Sequence, residues 1–450
     1  MLKKKKIRKK YIALLTATVV VGTVFCAALI SFIRSGGASE LWTSPMGYLV
    51  LVLFAVLPVL LLVLLAATVT GNPASVSYPL GKKEEERVGK EETRFYKLSE
   101  IDEKREEYAK RRYDESVTLK SFCESFRNYA ASRLKLYYSL SDIRKFVAGL
   151  GVTHLLILQG ISGTGKTSLA YALGEFLGNQ STVIPVQPMW KERTDMIGYY
   201  NEFTGRFNET TLLEKMYEAN YSKDIYIIVL DEMNIARVEY YFAEFLSLLE
   251  LPDAEERYLD VVTDKREKDP KGLKEGRIRL PKNMWFIGTA NNDDSTFAIS
   301  DKVYDRAMML NLDEKSEVFE GRRSVEVRMS YERLEELVKE AKEEYGLTKR
   351  NERRLEELDE YLKGNFRITF GNRVMKQIRT YIPIYVSCGG EEVEALDDIL
   401  SKKVMRKLET QNPIYVKNEA EGLCEKLDEL FGEDKMKHCK AFIRRLEKNA

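Results

Sequence analysis

Cysteine and histidine are scarce in this chain. Its 450 residues include five Cys and two His, and no C-x-x-C pair occurs. Neither a disulfide framework nor a multi-ligand zinc site is expected; Cys388 has no His nearby in sequence to make a reactive pair, and Cys424, His438 and Cys439 read as packing residues. An excess of one charge is also lacking, since 71 Lys+Arg face 70 Asp+Glu for a formal net charge of +1. That balance argues against a protein built mainly to coat nucleic acid. No internal repeat and no further catalytic triad is legible. What remains is a helix-rich globular composition, 44% hydrophobic and 31% charged, in a length that allows about three domains.

The even balance hides a sorted one. Residues 1–10, MLKKKKIRKK, carry seven Lys/Arg and no acid, leaving a net −6 on the other 440. Residues 11–33 then run 23 positions without a charge, and residues 47–70 another 24. At about 1.5 Å per helical residue either run can cross a hydrocarbon core of about 30 Å. Both exceed the apolar region of a cleavable signal peptide. Pro58 is tolerated in such a helix, and Trp42 and Tyr48 stand where interfacial aromatics belong. The basic tail and the short 34–46 loop, with only Arg34 and Glu40 charged, place the tail in the cytoplasm. Two crossings return the chain there. The expected location is a membrane, multi-pass, with both termini cytoplasmic.

Residues 71–118 read as a charged linker and helical stalk, with Leu98, Ile101 and Tyr108 too sparse for a heptad. Helix-spaced apolar residues follow from Phe122 to Leu150. Continuous apolar runs at 154–158, 182–186, 225–230, 284–287 and 308–312 alternate with helical stretches. That alternation predicts an α/β domain over 119–312, with a parallel sheet covered by helices on both faces. Residues 313–388 turn helical and highly charged, and 389–450 form a further helical extension.

Three motifs carry chemistry. The first is GISGTGKT, between the strand HLLIL and a helix, which fits the phosphate loop G-x-x-x-x-G-K-[ST] in its proper context. Gly160, Ile161, Ser162, Gly163, Thr164, Gly165, Lys166, Thr167 and Ser168 make up the nucleotide-binding segment. Its amides would face phosphate at a helix N-terminus, Lys166 would meet the β/γ phosphates, and Thr167 would offer its hydroxyl to Mg²⁺. The second is DIYIIVLDEMN, which ends a buried strand in Asp231 and Glu232. Asp231 is suited to Mg²⁺, and Glu232 to orienting and deprotonating water. The third is WFIGTANNDDST, where Asn291 or Asn292 would reach the γ-phosphate or the water. Asp305-Arg306 precedes the last strand; Arg306 is either a surface ion pair or a cation completing a neighbouring subunit's site.

This order of motifs, with FGNR at 370–373, resembles the AAA+ ATPases, in particular the branch containing dynein, midasin, MoxR and the McrB restriction GTPase. The resemblance covers roughly 119–385. It implies a P-loop NTPase fold with a C-terminal helical lid, using ATP or GTP with Mg²⁺. Carried over by position, Glu232 is the base, Asn291 the first sensor, Arg306 a finger acting in trans and Arg373 the second sensor. The branch implies a homo-oligomeric ring of six and, by analogy, a bacterial inner membrane as the location. It also implies a hairpin inserted at 190–219, where Tyr199, Tyr200, Phe203 and Phe207 either line a pore or pack on their own domain. The charged insert 259–283, basic on balance, reads as a solvated loop or a phosphate contact. With no second ATPase module and no DNA-reading domain, the expected activity is NTP-driven remodelling of a protein partner at the bilayer. A low-turnover switch shares every motif, and action on nucleic acid is not favoured.

Overall fold

The computed structural model describes residues 93–291, 296–312 and 316–449. The basic tail, both candidate membrane spans, their connecting loop and most of the linker lie outside the described residues. Among the described residues no helix is long and apolar enough to cross a membrane.

Three helices, α1 (Lys97–Ala109), α2 (Leu119–Leu134) and α3 (Leu140–Val152), lead to the first strand, β1 (Leu155–Gln159). The phosphate loop follows, then α4 (Lys166–Phe176) and β2 (Thr182–Pro185). Next come α5 (Arg193–Ile197), a hairpin of β3 (Tyr200–Asn201) and β4 (Arg206–Phe207), and α6 (Thr211–Ala219). β5 (Tyr226–Asp231) ends at the acidic pair and is followed by α7 (Val238–Tyr241) and α8 (Ala243–Leu248). A second hairpin, β6 (Tyr258–Asp260) with β7 (Arg277–Arg279), precedes β8 (Met284–Ala290). The α/β part closes with α9 (Asp301–Tyr304) and β9 (Met308–Asn311). Six helices complete the chain: α10 (Tyr331–Glu344), α11 (Lys349–Phe366), α12 (Gly371–Ser387), α13 (Glu392–Lys403), α14 (Pro413–Phe431) and α15 (Lys437–Asn449).

The five predicted strands form one sheet in the order β2-β5-β8-β1-β9, every pair parallel. Successive strand residues point to opposite faces, and both faces are buried. Leu156, Leu158, Ile227, Val229 and Ile287 meet α2, α3 and α4 on one side. Leu155, Ile157, Ile228, Leu230 and Phe286 meet α6, α7 and α8 on the other. This explains why the strands read as unbroken apolar runs. The first core continues into α10 to α15 through Leu337, Leu358, Ile378, Tyr385, Leu400 and Leu427, among others.

The register fixes the site. Gln159 pairs with Ala290, and Leu230 with Gly288. β8 therefore stands between the strand of the phosphate loop and the strand of the acidic pair, and all three end together. In an open parallel sheet the carboxyl ends of the strands are where ligands bind.

The stalk differs from expectation where it is described. α1 does not stand free in solvent. Phe95 is fully buried and stacks on Phe207 with ring centroids 5.0 Å apart. Leu98 and Ile101 join the second core. The apolar positions too few for a heptad serve as a docking stripe.

Candidate nucleotide-binding and hydrolysis site

The phosphate loop curls because its glycines allow it. Gly160, Gly163 and Gly165 have φ of +144°, +82° and +90°, in the region that disfavours a side chain. At Gly160 a Cβ would stand 2.3 Å from the Leu312 carbonyl oxygen, so the close pairing of loop and β9 also demands glycine. The loop ends at the N-terminus of α4, an 11-residue helix whose first amides are unpaired within the helix. Lys166 is buried there and its Nζ donates to the carbonyls of Gly160 and Ile161, each at 2.9 Å. Tyr138, from the α2–α3 connection, donates its hydroxyl to the Gly165 carbonyl at 2.9 Å and so braces the loop from behind.

The acidic strand meets the loop directly. Thr167 Oγ1 donates to Asp231 Oδ1 at 2.7 Å, across 64 residues of sequence. Thr289, near the end of β8, donates to the same oxygen at 2.8 Å, and its hydroxyl accepts the Glu232 backbone N–H at 2.9 Å. Glu232 has φ +52° and ψ +47°, a left-handed conformation uncommon for a residue with a Cβ. Thr289 pins that strained turn, with the Glu232 side chain exposed at the strand edge.

Asn234 was not singled out in the sequence. It is buried, and its Nδ2 donates to the carbonyls of Asn291 at 2.9 Å and Phe297 at 3.2 Å. Thr296 Oγ1 also donates to the Asn291 carbonyl, at 3.0 Å. Asn291 is thereby held one residue past β8, beside Gly160 and the acidic pair. The alternative, Asn292, lies outside the described residues.

Arg306 and Arg373 meet elsewhere. Arg306 Nη2 pairs with Glu250 Oε2 at 2.6 Å, and its Nη1 donates to the Lys302 carbonyl at 2.8 Å. Arg373 pairs with the other oxygen of Glu250. Arg373 lies in the first turn of α12, where the helix dipole disfavours a cation; the Glu250 carboxylate offsets that. Both arginines thus share one anion within the chain.

The cluster fits Mg²⁺. A hydroxyl and a carboxylate side by side at a phosphate-binding helix N-terminus are few protein ligands, as suits an ion that keeps waters and phosphates in its shell. Among the described residues no group of three or more His, Cys, Asp or Glu could form an all-protein cage. When bound, the ion would be held through Thr167 and Asp231 and would offset phosphate charge.

Residues 155–307 match the AAA domain of the dynein-related subfamily. The chain carries an AAA+ ATPase domain. Its phosphate loop, acidic pair and Asn-ended strand all fall within the matched residues. Residues 319–450, the helical region beyond the AAA+ domain, match a domain of unknown function (DUF8727). No curated protein matches the chain. Among solved structures, a full-length MCM homolog from Methanopyrus kandleri is similar at 12% identity with a TM-score of 0.32. The alignment covers 65% of this chain and 56% of that one, so the chain spans little more than half of that relative's length.

The two inserts of the AAA+ domain resolve into hairpins. In the first, Phe207 is buried and Tyr200 half-buried, while Tyr199 and Phe203 are exposed. The aromatics therefore divide between packing and an open tip. In the second, Asp264 and Asp269 bind the buried Arg94 at 2.9 and 2.7 Å. Asp102 of α1 accepts the Lys271 backbone N–H at 2.7 Å. This insert is thus tied down at those acidic and main-chain positions.

Proposed function

We propose that the chain is a membrane-tethered AAA+ NTPase that assembles into a ring, six-membered by family resemblance, and couples hydrolysis to remodelling of a protein partner beside the bilayer. One observation carries the hydrolytic reading: Thr167, Asp231, Thr289 and the Glu232 backbone form one connected cluster at adjacent strand ends, next in sequence to Lys166 of the phosphate loop. The loop amides and Lys166 bind the phosphates. Thr167 and Asp231 hold Mg²⁺. Glu232, turned outward at the strand edge, takes the proton of the attacking water, and Asn291 orients that water or the γ-phosphate. ATP is the expected nucleotide, with GTP chemically compatible. The two uncharged runs and the basic tail support the tether, with both chain ends on the cytoplasmic side of a bacterial inner membrane.

Among the described residues Arg306 and Arg373 are engaged with Glu250, so neither is the cation that joins Lys166 at the transferring phosphoryl group. A neighbour's Arg306 would supply it. This also favours slow turnover by a lone chain, the low-activity switch reading, until assembly occurs.

The test uses the full chain in detergent or nanodiscs. Turnover per wild-type chain should rise with protein concentration as rings form. Glu232→Gln should still bind ATP while hydrolysis falls by about 10²–10⁴-fold, the range for loss of a general base. Mass analysis of the ATP-trapped variant gives the ring size. Turnover per chain that is independent of concentration, with a monomeric trapped species, contradicts the reading.

A further inference from the structure

The segment that carries Arg306 is gripped mainly by the C-terminal helical region. Four consecutive main-chain carbonyls, from Tyr304 to Ala307, each accept a hydrogen bond from a side chain. Lys403 Nζ, at the end of α13, donates to the Tyr304 carbonyl at 2.6 Å and the Ala307 carbonyl at 2.5 Å. Gln377 Nε2, on α12, donates to the Asp305 carbonyl at 3.1 Å. Only the Arg306 carbonyl is held from the AAA+ domain, by Thr153 Oγ1 at 3.1 Å. Arg406, just past α13, lies over the Tyr304 ring and pairs with Asp301 at 3.3 Å.

Lys403 is an expensive way to fill this place. It is buried, and among the described residues its hydrogen-bond partners are the two carbonyls. Desolvation draws its pKa down to about 7 against a weaker pull from Asp305, with Arg406, Arg373 and Lys407 adding repulsion. An apolar residue of similar length would pack without that cost. The ammonium does what no apolar side chain can, which is to fasten both flanks of Arg306 at once.

We propose that Lys403 is a positioning residue for Arg306, and that through it the C-terminal helical region sets the arginine offered to a neighbouring subunit's nucleotide. The inference rests on the reading of Arg306 as a trans-acting residue. It gives residues 319–450 a role in hydrolysis that is exerted on the adjacent site, not on the chain's own. α12 contributes both Arg373 and Gln377, so the helix that pairs with Glu250 also holds the Asp305 carbonyl next to Arg306. Movement of this region would be transmitted to Arg306 directly.

The experiment mixes two full-length chains. Lys166→Ala lacks the phosphate-binding ammonium but supplies Arg306; Arg306→Ala binds nucleotide but supplies no arginine. Only interfaces between the two are complete. Lys403→Met is then placed in one chain or the other. In the Arg306-supplying chain it should lower hydrolysis about tenfold or more, because small misplacements of a catalytic group carry costs of that order. KM and assembly mass should not change. In the nucleotide-binding chain it should cost less than about twofold, far below that misplacement effect. Equal losses in both placements, or no loss in the Arg306-supplying chain, overturn the proposal. Should Lys403→Met fail to fold, Gln377→Leu tests the same segment with the same expected asymmetry. A parent mixture that is silent while wild type hydrolyses contradicts the trans reading itself, and this proposal falls with it.

Discussion

Thr289 sits between the two halves of the acidic motif and belongs to neither. Its hydroxyl serves Asp231 as a donor and the Glu232 backbone as an acceptor, and the residue is buried. Thr289→Val removes both bonds at nearly constant volume. It leaves a strained Glu232 turn without its anchor and the Asp231 carboxylate without one donor, a loss of about 1–3 kcal/mol, since bonds to charged groups exceed neutral ones. Realised in the transition state, the lower end of that range is about fivefold in kcat. Steady-state hydrolysis should fall by that factor, while a fluorescent-nucleotide titration shows affinity within about twofold of wild type, because the phosphate loop is untouched. Unchanged turnover with weakened binding would place Thr289 in binding instead. This residue also marks how far the sequence could be read. Lys166 and Thr167 were legible because their loop is contiguous and punctuated by glycines whose conformations chemistry dictates. Asp231 and Glu232 were legible because they end an apolar run. Thr289 and Asn234 were not, since their roles depend on parallel registers joining segments nearly 60 residues apart. Glu250 was missed for the same reason, as its two arginines come from separate elements.

At the scale of elements, all five strands of the sheet were legible, because a strand buried on both faces writes a continuous apolar run into the sequence. Their order was not. Nothing local distinguishes β8 beside β1 from β5 beside β1, yet that choice delivers Asn291 to the site. Helix α1 was legible as a helix but not as a docked one. Its attachment depends on Arg94, which binds Asp264 and Asp269 from about 170 residues away. The charge-assisted bond to Asp269 is the main reason the guanidinium is held protonated more firmly than usual. Arg94→Met should therefore leave the nearly buried Asp269 carboxylate without its ion pair, held by the Arg266 backbone N–H. Breaking such a pair costs about 3–5 kcal/mol. Hydrogen exchange should report faster opening of residues 93–110 and of the 259–283 insert, with the phosphate loop unaffected. Unaltered protection in those segments would mean that Phe95, Leu98 and Ile101 hold the helix without the ion pairs.

At the scale of the whole molecule, two cores sit back to back across one sheet, and they have different reach. The second core ends within the AAA+ domain and α1. The first runs without a break from α2 through the sheet into the last helix, where Cys439 and Ile443 belong to it. The C-terminal helices are therefore packed as part of the same body. The charge pattern fits this arrangement. The tail of seven basic residues and the two uncharged runs are what the proposed tether rests on, and the remainder, of net −6, includes the nucleotide motifs. Among the described residues, Arg306 and Arg373 are engaged with Glu250, which leaves the phosphate loop short of the arginine that the proposed cycle needs.

That shortage can be tested directly by mixing two inactive chains. Lys166→Ala and Arg306→Ala, each full length, are assayed for ATP hydrolysis alone and at equal ratio. The account predicts that each alone is silent and that the mixture regains a sizeable fraction of wild-type turnover, because one chain's Arg306 completes the other's site. Activity in Arg306→Ala alone, or silence in the mixture, would contradict it.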